Sequence, residues 1–213
     1  MNKKISFFGG TSGLGTEIIR TLSKTYHIDS IGSSKVNLLK EDEIQKYFKI
    51  NHPDIVIIFS NYNYNSFLHK YDNFSDLDRQ LDINLKGVTK VISNSLKIMR
   101  DSGYGRIILA SSITVDRQVV GTSIYSSTKS YYESIVKNIC LENASKGITA
   151  NCIQLGYMDG GLTYTLSEDF RNKIINSIPS KRLGKVSEIT ETINFLINNS
   201  YINGSVVKLT GGL

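Results

Sequence analysis

The first apolar positions, Ile5, Phe7 and Phe8, form a short run that ends at two glycines, and Leu14, Ile18, Ile19 and Leu22 then recur at helical spacing. This pattern predicts a strand, a tight turn and a helix. The order repeats along the chain. A strand is expected over 27–32, a short helix over 41–48, and Ile55-Val56-Ile57-Ile58-Phe59 is apolar throughout, as in a strand covered on both faces. A long helical pattern runs over 76–100, followed by a strand over 106–110, a helix over 123–145 and a strand over 149–155. Less regular sequence with a helix over 168–177 comes next, then a helix over 187–198 and a last strand over 206–209. Strands that alternate with helices this way build a doubly wound α/β sheet in three layers, α/β/α, because each crossover helix must pack back onto the sheet. Pro53 and Pro179 are the only prolines, and neither a repeat nor a low-complexity linker interrupts the pattern, so residues 1–213 are expected to form a single domain. In such sheets ligands bind beyond the carboxyl ends of the strands.

Composition narrows the partners. The 213 residues are 40% hydrophobic, enough for a sizeable core, and carry a formal charge of +6. The lysines are scattered among carboxylates with no block of like charge, which argues against nucleic acid and suits, at most, a preference for anionic small ligands. Cys140 and Cys152 are too few for a disulfide framework and fit a reducing, cytoplasmic setting. His27, His52 and His69 have no metal-site spacing, so no metal is expected. No stretch approaches the roughly 18 apolar residues of a membrane span.

The chemistry begins at Gly9-Gly10-Thr11-Ser12-Gly13-Leu14-Gly15, between the first strand and the first helix. Glycines there let the backbone bend sharply and let a phosphate approach the helix N-terminus, where free N–H groups and the helix dipole favour anions. The spacing Gly-x-x-x-Gly-x-Gly differs from the G-x-G-x-x-G of other dinucleotide folds. By itself the motif is also compatible with a plain tight turn.

Tyr125 and Lys129 lie four residues apart near the start of a predicted helix, so both side chains share one face. A free phenol titrates near about 10, too high for efficient proton transfer at neutral pH, and a neighbouring ammonium would favour its phenolate. Tyr125 would then be a usable general acid or base. Ser111 and Ser112 end the preceding strand, and Ser112 stands 13 positions before Tyr125.

With this set in place the sequence resembles the short-chain dehydrogenase/reductase family nearly end to end. The resemblance includes the glycine turn, Ile83-Asn84-Leu85-Lys86-Gly87, Ser112 with Tyr125 and Lys129, Gly147-Ile148-Thr149-Ala150-Asn151, Lys181-Arg182-Leu183-Gly184 and the ending Leu209-Thr210-Gly211-Gly212. It implies a Rossmann-type fold and an NAD(P)-dependent oxidoreductase that reduces a carbonyl or oxidises the alcohol. Tyr125 would transfer the proton, and Ser112 would hydrogen-bond the substrate oxygen, in preference to Ser111. Lys129 would hold the nicotinamide ribose and lower the pKa of Tyr125, and Asn84 would anchor a water leading protons toward Lys129. The cofactor would rest on Gly9, Thr11, Ser12, Gly13, Leu14 and Gly15, with Ser60 and Asn61 against the adenine ribose, Asn37 near the adenine, and Gly156 and Met158 as backbone contacts.

Several departures bear on details. Asn-Asn-Ala-Gly of the family is replaced by Ile58-Phe59-Ser60-Asn61, its Pro-Gly by Leu155-Gly156, its nicotinamide threonine by Gly160, and an adenine-side aspartate by Asn37. The crossover before Asn37 is shorter than usual. After the second predicted strand, Gly32-Ser33-Ser34-Lys35 offers no carboxylate for a ribose 2′-hydroxyl, while Ser33, Ser34 and Lys35 suit a 2′-phosphate; NADP(H) is therefore expected over NAD(H). Asp29 falls too early in the strand to serve. Polar and aromatic residues in the pocket segments, among them Tyr62, Tyr64, Arg117, Asp159 and Tyr164, suggest a sugar or other polar carbonyl as substrate. Residues 162–180 read as a lid. By resemblance the helices over 76–100 and 123–145 would join copies into a homodimer or homotetramer. The alternative function, a sensor or scaffold that binds NADP(H) without turnover, would gain nothing from retaining Ser112, Tyr125, Lys129 and Asn84.

Overall fold

A computed structural model describes residues 3–71, 74–161, 163 and 166–213. Six strands form one parallel sheet: β1 (Lys4–Phe8), β2 (His27–Ile31), β3 (Ile55–Ile58), β4 (Gly105–Ser112), β5 (Ile148–Leu155) and β6 (Val206–Leu209), in the order β2-β1-β3-β4-β5-β6. The helices are α1 (Gly13–Leu22), α2 (Glu41–Ile50), α3 (Ser75–Leu81), α4 (Val88–Ser102), α5 (Ser123–Asn143), α6 (Glu168–Ser177) and α7 (Val186–Asn198). None of the described helices is long and apolar enough to cross a membrane.

The apolar strands predicted the layering. Every residue of β3 is buried, and alternate residues of the central strands face opposite sides. Ile107 and Leu109 pack with Tyr132, Val136 and Ile139 of α5, whereas Ile108 and Ile153 pack with Ile18 of α1 and Ile189 and Ile193 of α7. The strands thus read as near-continuous apolar runs because helices cover both faces. β1 pairs with both β2 and β3, so the chain reverses its winding there and leaves a crevice at their carboxyl ends.

One expectation changes. The helix expected over 76–100 is broken by a π-helical turn, Asp82–Gly87, between α3 and α4. Single π turns inside helices recur at functional sites, and sequence periodicity does not register the one extra residue. Residues 33–40 are a loop between β2 and α2. There the Asn37 side-chain oxygen accepts from the Leu39 amide at 3.0 Å and the Asn37 amide donates to Glu43 at 2.8 Å, closing a turn.

Candidate active site

Ser112 ends β4 with extended backbone and caps the 3₁₀ turn Ile113–Val115. Its Oγ accepts from the Thr114 amide at 3.3 Å and from Thr114 Oγ1 at 3.1 Å. The Ser112 hydroxyl is close enough to the Tyr125 phenol to draw its pKa down. Ser111, one residue earlier, projects to the α5 face and donates to Glu133 Oε1 at 2.5 Å. Strand alternation therefore separates the two serines, and only Ser112 meets the phenol.

Lys129 is 3% exposed, and its Nζ donates to the Ala110 carbonyl at 2.9 Å. It lies 5.5 Å from the centre of the Tyr125 ring and 4.6 Å from that of Tyr132, two aromatic faces that favour a cation. Tyr125 and Lys129 do share a helix face, as their spacing predicts, but the ammonium bends beneath the ring to the end of β4. The phenol's titration is accordingly set by burial, which pushes it above its ordinary value, and by Ser112, which pulls it down. Burial in turn lowers the Lys129 pKa to about 7.

That shift has a consequence for stability. Below about pH 7 the lysine is charged in both folded and unfolded chains, and its burial costs the fold the full desolvation penalty. Between about 7 and the ordinary lysine value the unfolded chain binds more protons, so stability rises with pH. Lys129→Met is expected to raise stability by roughly a few kcal/mol at pH 6 and by progressively less toward pH 10. Urea unfolding at both pH values checks this; an equal gain at each would remove the account.

Asn84 sits in the π turn, fully buried. Its Nδ2 donates to the Tyr62 carbonyl and its Oδ1 accepts from the Tyr62 amide, both at 2.8 Å. The side chain thereby fixes the loop after β3.

The glycine turn brings strand, turn and helix into close approach. Gly9 has φ +88°, and a Cβ there would lie 2.4 Å from the Ser60 nitrogen. A Cβ on Gly15 would lie 2.1 Å from the Gly9 carbonyl oxygen. Strand, turn and helix thus approach more closely than any side chain permits. The Ser12 side chain makes no capping hydrogen bond, the first turn of α1 contains no acid, and Thr11, Ser12 and Gly13 are exposed. The residues present fit an anionic cofactor at that helix end. Leu14 contacts the segment after β5: a Cβ on Gly161 would meet it at 3.2 Å.

Other predicted contacts are placed less directly. Ser33 and Ser34 are exposed beyond β2, while Lys35 pairs with Asp29, whose other oxygen accepts from Tyr47 at 2.8 Å. Ser60 and Asn61 follow β3, with the Ser60 amide donating to Phe8 at 3.0 Å. The Gly156 amide is spent on Leu209 at 2.9 Å, and Met158 is a core side chain, 3% exposed, bridged to Gly184. Several pocket residues pair with protein groups. Tyr62 Oη donates to Asp76 at 2.6 Å, Tyr64 packs edge-on against Tyr71, and Asp159 pairs with Arg171 at 2.7 Å. Tyr164 and part of the segment 162–180 lie outside the described residues.

Sequence reasoning missed Thr114, the Ala110 carbonyl and Tyr132. A carbonyl leaves no signal in the sequence, but Tyr132 stands three residues after Lys129 on the same helical face and was open to the spacing argument.

Comparison with known proteins gives concordant matches. A family model described as enoyl-(acyl carrier protein) reductase matches residues 47–213. A 3-oxoacyl-(acyl-carrier-protein) reductase of Buchnera aphidicola is 30% identical over 239 aligned positions, 99% of this chain and 97% of that protein. An acetoacetyl-CoA reductase of Synechocystis sp. is 36% identical over 149 positions, 66% of this chain. The chain spans 62% of that relative's length and 55% of a similar reductase from Allochromatium vinosum, under two thirds in both. A solved small-chain dehydrogenase in complex with NADPH superposes with a TM-score of 0.87 at 22% identity, covering 100% of this chain and 98% of the other, a likeness of fold.

Proposed function

Because the chain belongs to the short-chain dehydrogenase/reductase family, we propose that it is an NADPH-dependent reductase of a 3-oxoacyl thioester. The observation that carries the reading is the Ser112 and Tyr125 hydroxyls set near each other above a buried Lys129, at the carboxyl edge of the sheet that also presents the glycine turn. When bound, the reduced nicotinamide supplies the hydride. The chain's own residues manage the oxygen. Tyr125 and Ser112 together present two hydroxyls to a carbonyl oxygen that gains negative charge in the transition state, where preorganised donors have their largest effect. Burial keeps the phenol protonated at neutral pH, so Tyr125 enters the reduction as the acid. The Lys129 ammonium, held between two rings, is the cation available to ribose hydroxyls.

Two features favour a thioester over the sugar suggested by the polar residues of the pocket segments. Those polar groups are largely engaged with one another, as in Tyr62–Asp76 and Asp159–Arg171. The loops after β3 and β4 instead carry exposed Phe67, Leu68, Val119 and Val120, and they meet where a Cβ on Gly121 would lie 3.8 Å from Ser66. An apolar rim suits an acyl chain, and the charge of +6 suits a phosphate-bearing carrier. Ser33 and Ser34, with no carboxylate free at the end of β2, support NADP(H) over NAD(H). A homodimer or homotetramer joined through α4 and α5 is part of the same reading. NADPH consumption with acetoacetyl-CoA, compared with a panel of sugar carbonyls, tests it. The thioester is expected to give kcat/KM at least about a hundredfold higher than any sugar, and the reverse order would reject the assignment.

A further inference from the structure

Below the catalytic serine lies a polar rung that the mechanism above does not use. In the sheet register Ser111 of β4 faces Gln154 of β5, which faces Lys208 of β6. All three sit on the rung immediately before the one that carries Ser112. The next residues of β4 and β5 on the same face, Leu109 and Cys152, belong to the apolar core, so this is where the α5 side of the sheet turns from apolar to polar.

The rung is tied together by two carboxylates. Glu133 of α5 accepts on a single oxygen, Oε1, from Ser111 Oγ at 2.5 Å and from Gln154 Nε2 at 3.1 Å. The Asp116 carboxylate lies near Gln154, which helps hold its pKa below the ordinary carboxylate value, and pairs with Lys208 Nζ at 2.5 Å. Asp116 closes the turn that begins at Ser112: its amide donates to Ile113, and the Thr114 amide donates to Ser112 Oγ. Gln154 is 0% exposed and stands at the centre of this network, joining α5 to the loop after β4. The buried amide is oriented by its bond to Glu133, because turning it would set its oxygen against the carboxylate.

We propose that Gln154 and Glu133 are positioning residues for the reduction: they pin the end of β4 and the loop that follows it, and so hold the Ser112 hydroxyl against Tyr125. Neither touches the reacting atoms. The inference rests on the catalytic reading of Ser112, and it gives that serine a support that the glycine turn and Lys129 do not provide.

The test combines variants with two readouts. Gln154→Met keeps the volume and removes the donor; Glu133→Leu removes the shared acceptor, while Glu133→Gln keeps an oxygen able to receive both bonds. With acetoacetyl-CoA and NADPH as probes, the first two are expected to lower kcat about tenfold, with KM and NADPH affinity within about threefold and Glu133→Gln near the parent, as displacement of a catalytic donor predicts. In a Ser112→Ala background Gln154→Met is expected to add no further loss, since it acts through that hydroxyl. Independent losses that multiply, or an unaltered kcat in both Gln154→Met and Glu133→Leu, would overturn the proposal. The second readout needs no turnover. Amide exchange at Thr114 and Asp116 should accelerate in both variants while α1 and α7 are unchanged, and unchanged exchange at Thr114 also overturns it. An unreactive parent enzyme with accelerated exchange would fault the substrate assignment and leave the anchoring supported.

Discussion

Tyr125→Phe is expected to lower kcat by about a thousandfold, within the range that loss of a general acid produces, with NADPH affinity changed less than about threefold. The substitution removes one oxygen and leaves the ring, so the cation–π surface beside Lys129 and the packing at the start of α5 persist. What disappears is the proton donor and the partner of Ser112. Steady-state turnover with acetoacetyl-CoA and fluorescence titration of NADPH separate the two effects. Activity near that of the parent would end the proton-transfer role. Ser112→Ala is expected to cost less, because the phenol remains as donor.

The second large effect concerns the glycine turn. Gly15→Val is expected to weaken NADPH binding by more than about a hundredfold and to destabilise the fold by roughly 2–3 kcal/mol, the cost of forcing a side chain into a filled space. The Cβ would have to occupy space 2.1 Å from the Gly9 carbonyl oxygen and 3.0 Å from the Gly10 Cα. Both neighbours are backbone, so α1 must separate from the strand and the turn must open. Gly13 offers a contrast. It is exposed, a Cβ there would find its nearest neighbour, the Gly161 Cα, at 3.7 Å, and its only penalty is a φ of +51°. Gly13→Ala is therefore expected to lose about 1–2 kcal/mol of stability from the left-handed backbone and far less affinity. NADPH titration and thermal melting of the two variants check the ranking; equal losses would show that the close approach at Gly15 is not what shapes the site.

Much of the fold was legible because its strands are apolar on both faces and its turns are marked by glycine. The strand expected over 206–209 and the helix expected over 168–177 coincide with β6 and α6, and other elements differ by a few residues at their ends. Periodicity could not disclose the π turn at Asp82–Gly87, because an extra residue in a helix alters the phase without altering the composition. At the site, spacing placed Tyr125 and Lys129 on one face of α5, yet the direction of the ammonium depended on a backbone acceptor at Ala110. Strand alternation distinguishes Ser111 from Ser112, but only once the strand's end is known. The polar rung through Gln154 was invisible for another reason: its members come from α5, β4, β5, β6 and a loop, and no local pattern links them.

The π turn also makes residue count matter. One helical residue corresponds to about 100° of rotation. A chain shortened by a single position between Asp82 and Gly87 would close the wide turn into regular winding, keeping the phase of α3 and α4 but removing the bulge that presents Asn84. Asn84 would then face away from the Tyr62 backbone it now clasps on both sides. Here the arithmetic of the helix is itself inherited, and relatives that retain the chemistry should retain this segment at fixed length.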